Sequence, residues 1–170
     1  MAVKPNNRLK AITFENSRII FKNFSGAPTP VNRAGGTRTF NLVLTQDEYE
    51  AMLADGWNVK RREPREEGDD PLYHIPVKVS YTGRPPTVVL ITSSGRTSLD
   101  EETINILDSQ LATNIDLIIN PYHWEVNGTT GISAYLQTMY FTMEEDDLQR
   151  KYGLVEASLP APVDEMPAPW

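Results

Sequence analysis

Residues 115–143 read IDLIINPYHWEVNGTTGISAYLQTMYFTM. The spacing predicts two long strands around Asn127-Gly128-Thr129-Thr130-Gly131, a glycine- and asparagine-rich turn of the kind hairpins use. On the first strand Ile118, Tyr122, Trp124 and Val126 fall on one side, and Leu117, Ile119 and His123 on the other. On the second, Ala134, Leu136, Tyr140 and Thr142 alternate with Tyr135, Gln137, Met139 and Phe141. Unbroken period-2 alternation therefore separates Tyr135 from Tyr140. An aromatic ribbon of this kind is either a core wall or a platform for flat ligands.

The segments before it are also mostly strand-like. A short strand is expected near Ile12 to Phe14, then one over Arg18 to Phe24 and one over Thr39 to Leu44. Between the last two lies SGAPTPVNRAGGTR, residues 25–38, too long for a tight turn; loops of that size tend to carry function or to move. Thr45 with Glu48 forms a capping box for a helix that Gly56 stops. Residues 57–62, WNVKRR, read as a strand, and 63–71 as a charged loop. From Leu72 to Tyr81, residues Tyr73, Ile75, Val77, Val79 and Tyr81 share one side, with Pro76 hinting at an edge or bulge. TVVLIT, residues 87–92, is a buried-looking strand. Ser98 with Glu101 suggests a second capping box, with Leu99, Ile104, Leu107 and Leu111 as the inward stripe of a helix. After the hairpin, EEDDLQRKYG reads as a short acidic helical turn, and the Pro/Ala-rich residues that follow Leu154 cannot build a core.

The sum is a mainly β chain: a small, partly open β-barrel with two short helices and a flexible C-terminal tail. A parallel α/β sheet would need a helix between most strands. Phe14, Phe21 and Phe141 are the expected core aromatics.

With 170 residues and no cysteine, the chain reads as one domain without disulfides or thiolate metal sites. No signal-peptide core or membrane-length apolar run is seen, so a location in the cytoplasm is expected. The net charge of −7 is unevenly spread. Residues 1–62 carry about +5, residues 63–99 about −1 and residues 100–170 about −11. The alternatives are an anion-binding body with an acidic tail, or ordinary surface charge.

Catalytic patterns are lacking. His74 and His123 stand alone in predicted strands, Gly35-Gly36-Thr37 lacks the lysine of a phosphate loop, and the carboxylates Glu144 to Asp147 form a run rather than separated partners. The expectation is no enzyme, no metal and no cofactor. A basic and aromatic set stands out instead: Arg18, Lys22, Phe24, Arg33, Arg38, Phe40, Trp57, Lys60, Arg61, Arg62, Lys78, Tyr81, Arg84, Arg96, Tyr122, Trp124 and Tyr140. Binders of single-stranded nucleic acid need cations along the phosphates and exposed rings under the bases. The competing reading makes many of those rings core. In the tail, Asp164 and Glu165 followed by Pro169-Trp170 suit a docking peptide, with an aromatic ring for a pocket and a carboxylate for its basic rim.

The blocks RIIFKNFSG, NRAGGTRTFNLVL, DGWNVK, GRPPTVVLITSSGRTSLDEETINILD, IDLIINPYHWEVNG and AYLQTMY together resemble single-stranded-DNA-binding proteins of bacteriophages, especially phages of actinobacteria. The resemblance runs from Arg18 to about Tyr152. It implies an OB-fold that coats single-stranded DNA during phage replication and recombination in the host cytoplasm, without a catalytic centre. The tail resembles the acidic tip that recruits replication or recombination proteins, although it has two acids and Trp170 where a dense cluster and phenylalanine are usual. The implied division is a loosely ordered segment 1–17, a nucleic-acid-binding domain 18–152 and a tail 153–170. Self-association stays open, no membrane partner is expected, and the alternative is a non-catalytic phage structural or host-protein-interaction β module.

Overall fold

A computed structural model of the protein describes residues 10–28, 30, 33–145 and 148. The tail residues Asp164, Glu165, Pro169 and Trp170, and most of the expected acidic helical turn, lie outside them.

Nine strands form one sheet: β1 (Ile12–Ser17), β2 (Ile19–Asn23), β3 (Arg38–Leu44), β4 (Lys60–Arg62), β5 (Leu72–Val79), β6 (Thr87–Thr92), β7 (Gly95–Leu99), β8 (Ala112–Val126) and β9 (Thr129–Met143). The path runs β1-β8-β9-β5-β3-β2, with β4 added beside β5 and the β6–β7 hairpin beside β9. β1 and β2 end the path and do not pair, so the barrel is partly open, as expected.

The inner face is continuous. Phe40, Leu42, Ile75, Val77, Leu90, Ile115, Leu117, Ile119, Ala134, Met139 and Phe141 are each at most 2 % exposed. Helix α1 (Gln46–Asp55) has the expected capping box, Thr45 Oγ1 accepting from Glu48 N–H and Glu48 Oε1 accepting from Thr45 N–H. Gly56 closes it at φ 99°, a conformation glycine adopts without a Cβ penalty.

The second expected helix forms, but its start and length are corrected. Ser98 belongs to β7, a strand the sequence reading did not contain, and a 3-10 helix spans only Ile104–Ser109. Its lead-in is stapled by Asp100, whose Oδ1 accepts from the N–H groups of Glu102 and Thr103. Leu99, Ile104 and Leu107 do point inward, whereas Leu111 is 67 % exposed. The strand expected at Trp57 shortens to Lys60–Arg62, with Trp57 buried and bridged to Ile132.

The central hairpin turns on Asn127-Gly128 alone, at φ 52° and 81°, the two-residue geometry that suits the strand twist. Its alternation is not strict. Ile118 pairs Thr138 while Ile119 pairs Leu136, leaving Gln137 as an extra residue. Such a bulge bends the strand and resets the faces. Ile132, Ala134 and Leu136 point inward before it, and Met139, Phe141 and Met143 after it. The bend also lets β9 leave β5, its parallel partner at Ala134–Tyr135, and run beside β6 from Thr138 to Thr142. Tyr135 and Tyr140 therefore share the outer face, contrary to the expectation from unbroken alternation. Pro76 sits where the β5 edge passes from β4, paired through His74, to β9, paired from Val77. On that edge its missing amide breaks no rung.

Candidate nucleic-acid interface

Register carries a set of polar and aromatic side chains to the outer face. β5 turns Ile75, Val77 and Val79 inward, and so His74, Pro76 and Lys78 outward. Lys78 pairs with Tyr135, which pairs with Asn120 of β8. Farther along β8, Tyr122 faces Ser133 and Trp124 faces Gly131. These residues touch. The Tyr122 and Tyr135 rings meet edge to face at 5.6 Å, and Lys78 Nζ lies 5.8 Å from the Tyr135 ring centre. Tyr122 is 55 % exposed.

Trp124 lies flat across the hairpin because Gly131 has no side chain. A methyl group built there would collide with the indole, at 2.8 Å from Cε2. The glycine is the seat that lays the ring on the surface.

Beside this platform a groove of about 360 Å³ runs between Lys78, Tyr135, Arg38, Tyr81, Thr82 and Glu101. Arg38 is committed within it. Its Nε donates to the Phe24 carbonyl, its guanidinium pairs with Glu101 at 3.5 Å, and it lies over the Tyr81 ring at 5.5 Å. Burial pushes the Tyr81 phenol up to about 12, despite the opposing charge of Arg38.

On the other side of Lys78, β4 adds Lys60 opposite His74 and Arg62 opposite Leu72. His74 Nδ1 lies 2.7 Å from Asn41 Oδ1. Burial, and then the charges of Arg62 and Lys60, hold the His74 imidazole below its ordinary pKa. The sign for stability follows from linkage. A histidine depressed in the fold takes up its proton more readily when unfolded, so its contribution is complete above the unfolded pKa and is lost as pH falls through the folded one. Thermal melts of the wild type should thus lose stability below about pH 6.5 more steeply than those of His74→Gln; parallel curves would contradict the linkage.

Of the residues expected from sequence, Lys60, Arg62, Lys78, Tyr122 and Trp124 come together on this face. Others do not. Phe24, Phe40 and Trp57 are core, at 0 %, 0 % and 3 % exposure, and offer no ring face. Lys22 turns inward, donating to the carbonyls of Leu107 and Gln110 near the Phe141 ring; burial lowers its pKa, and Asp108 partly offsets that. Arg18 lines the open seam with Lys22 and Ile115. Arg61 pairs with Glu63 and lies over Tyr73. Arg33 and Arg84 occupy exposed loops. Tyr140 and Arg96 stand farther along the outer surface, beside Val89 and Ile91 respectively, and Tyr140 faces Asp116. Tyr135 joins the set through its pairing with Asn120 and Lys78, and the bulge carries Tyr140 onto the same face.

Among the described residues, no three His, Cys, Asp or Glu side chains converge to hold a metal, and no helix is long and apolar enough to cross a membrane.

No curated protein matches the chain. Among solved structures, the single-stranded DNA-binding protein from bacteriophage Enc34, C-terminally truncated, matches with a TM-score of 0.51 at 14 % identity, covering 81 % of this chain and 88 % of that one. A structure of the same phage protein in complex with ssDNA gives the same values. At that identity the likeness speaks for the fold. Membership is shown by the sequence itself: the phage ssDNA-binding domain family matches residues 1–165, and the protein belongs to that family.

Proposed function

We propose that the outer face of β3, β5, β9 and β8, with β4 at its flank, binds single-stranded DNA without sequence readout in phage replication or recombination. Tyr122, Trp124 and Tyr135 stack bases, while Lys60, Arg62 and Lys78 neutralise phosphates. The observation that carries this reading is the contact chain Lys78–Tyr135–Tyr122 beside Trp124, on a face that supplies little to the core. Rings with one open side and no fixed hydrogen-bonding partner accept any base, and flanking cations accept any phosphate. The Enc34 protein's structure with ssDNA supports single-stranded DNA as the ligand by analogy of fold. The end of the long loop, Gly36 to Arg38, lines the groove beside Lys78 and Tyr135, and in this reading it borders the DNA.

Titration of labelled oligo-dT at several salt concentrations tests this. Three phosphate contacts predict a log–log salt slope of about −2, from roughly −0.7 per contact on a single strand. Absence of binding at low salt, or an affinity indifferent to salt, would sink the proposal.

A further inference from the structure

Phe21 is an apolar ring where the fold has no use for one. β2 meets β3 through Ile19↔Leu42, Ile20↔Asn41 and Asn23↔Thr39, so Phe21 and Lys22 together oppose Phe40. This bulge holds Phe21 at φ 55°, a left-handed conformation that crowds the Cβ of any residue other than glycine. The twist sends the two neighbours opposite ways. Lys22 turns in to the 3-10 helix carbonyls, and Phe21 turns out, 54 % exposed.

The exposed ring is nonetheless surrounded in an ordered way. The Arg62 guanidinium lies 5.8 Å from its centre, and the His74 ring meets it at 6.0 Å and 77°. His74 is in turn held by Asn41 and stands across from Lys60. Strained backbone and an exposed aromatic both cost stability, and such costs concentrate where a ligand is met. A ring bordered by a guanidinium, an imidazole and an amide has what a nucleobase needs: a π-face, a cation and a hydrogen-bonding edge.

We propose that Phe21, His74 and Asn41 form a second nucleobase subsite, with Arg62, beside the ring, and Lys60 as its phosphate partners. This deepens the reading of the outer face as a single-stranded-DNA surface and rests on it. From β2 to β9 the path crosses β3 and β5, three strand spacings or roughly 14 Å. At ~3.4 Å per stacked nucleotide that is about four nucleotides, so one continuous strand bridges the Phe21 subsite and the Tyr122–Trp124–Tyr135 platform.

The strained φ makes the test two-sided. Phe21→Gly removes the ring and also relieves the backbone, so its melting temperature should equal or exceed that of the wild type. Its affinity for oligo-dT of about 12 nucleotides should fall about 5- to 150-fold, the loss of one base stack. Phe21→Leu keeps apolar bulk without a π-face and should lose binding similarly, whereas Phe21→Tyr should retain it. Wild-type-like binding by Phe21→Gly and Phe21→Leu would overturn the subsite, as would a lowered melting temperature with full binding by Phe21→Leu, which would make the ring a packing residue. Failure of the wild type itself to bind would instead remove the underlying reading.

Discussion

Replacing Tyr122 and Trp124 together by alanine is expected to weaken oligo-dT binding by at least about 30-fold, while the thermal melt changes little. The magnitude follows from two base stacks at about 1–3 kcal/mol each. Residues so close are not strictly additive, so the lower end is the safer figure. The fold should tolerate the change because Tyr122 is more than half exposed and Trp124 lies on the outer face, away from the core. Gly131→Ala provides an independent version of the experiment. It alters no ring, yet its methyl group displaces the Trp124 indole, so part of the loss should return without any aromatic being removed. Fluorescence anisotropy gives the affinities, and Trp emission reports whether the indole has moved. Unchanged affinity in the double variant would take the β8 rings out of the interface and leave Lys78 and Tyr135 without a stacking partner.

Much of the barrel could be read from local chemistry. The capping box at Thr45 and Glu48, the alternation of β5 and the glycine turn of the hairpin each rest on a few neighbouring residues, and each forms. The second helix shows where that reading ends. Ser98 and Glu101 have capping-box spacing, but Val88↔Leu99 pairing places Ser98 in a strand, and the turn closes on Asp100 instead. A tertiary ladder outcompetes a local cap, because an isolated helix of the expected length is itself marginal in water.

The candidate site was half legible for a related reason. Cations and rings can be counted in a sequence, but their sides cannot be assigned when a strand contains an extra residue. Phe21 was expected in the core and lies outside; Phe24 and Phe40 were expected at the ligand and lie inside, 5.4 Å apart. A single bulge in β2 accounts for Phe21, and nothing in Ile19-Ile20-Phe21-Lys22 announces it. Phe24 and Phe40 were ambiguous because basic residues flank them. Those cations, Lys22 and Arg38, turn out to hold loop and helix carbonyls.

The Gln137 bulge offers a test that separates chain length from residue identity. Deleting Gln137 should leave both faces of β9 in place, because Ile119↔Leu136 and Ile118↔Thr138 then become consecutive rungs of an ordinary ladder. Ile132, Ala134 and Leu136 keep pointing inward, and so do Met139, Phe141 and Met143. The cost falls on the bend instead. Without the extra residue β9 loses the kink that carries it from β5 to β6, and the Thr138–Thr142 ladder with β6 follows that kink. Backbone hydrogen bonds are worth about 0.5–1.5 kcal/mol each, so losing several removes a large share of an ordinary domain's stability of about 5–15 kcal/mol. The deletion variant should therefore fold cooperatively and melt well below the wild type. Gln137→Ala keeps the extra residue and changes an exposed side chain, so its stability should stay within about 0.5 kcal/mol of wild type. Near-UV circular dichroism and a thermal melt distinguish the two. A deletion variant that melts near the wild-type temperature would show that β9 can make its turn from β5 to β6 without the bulge.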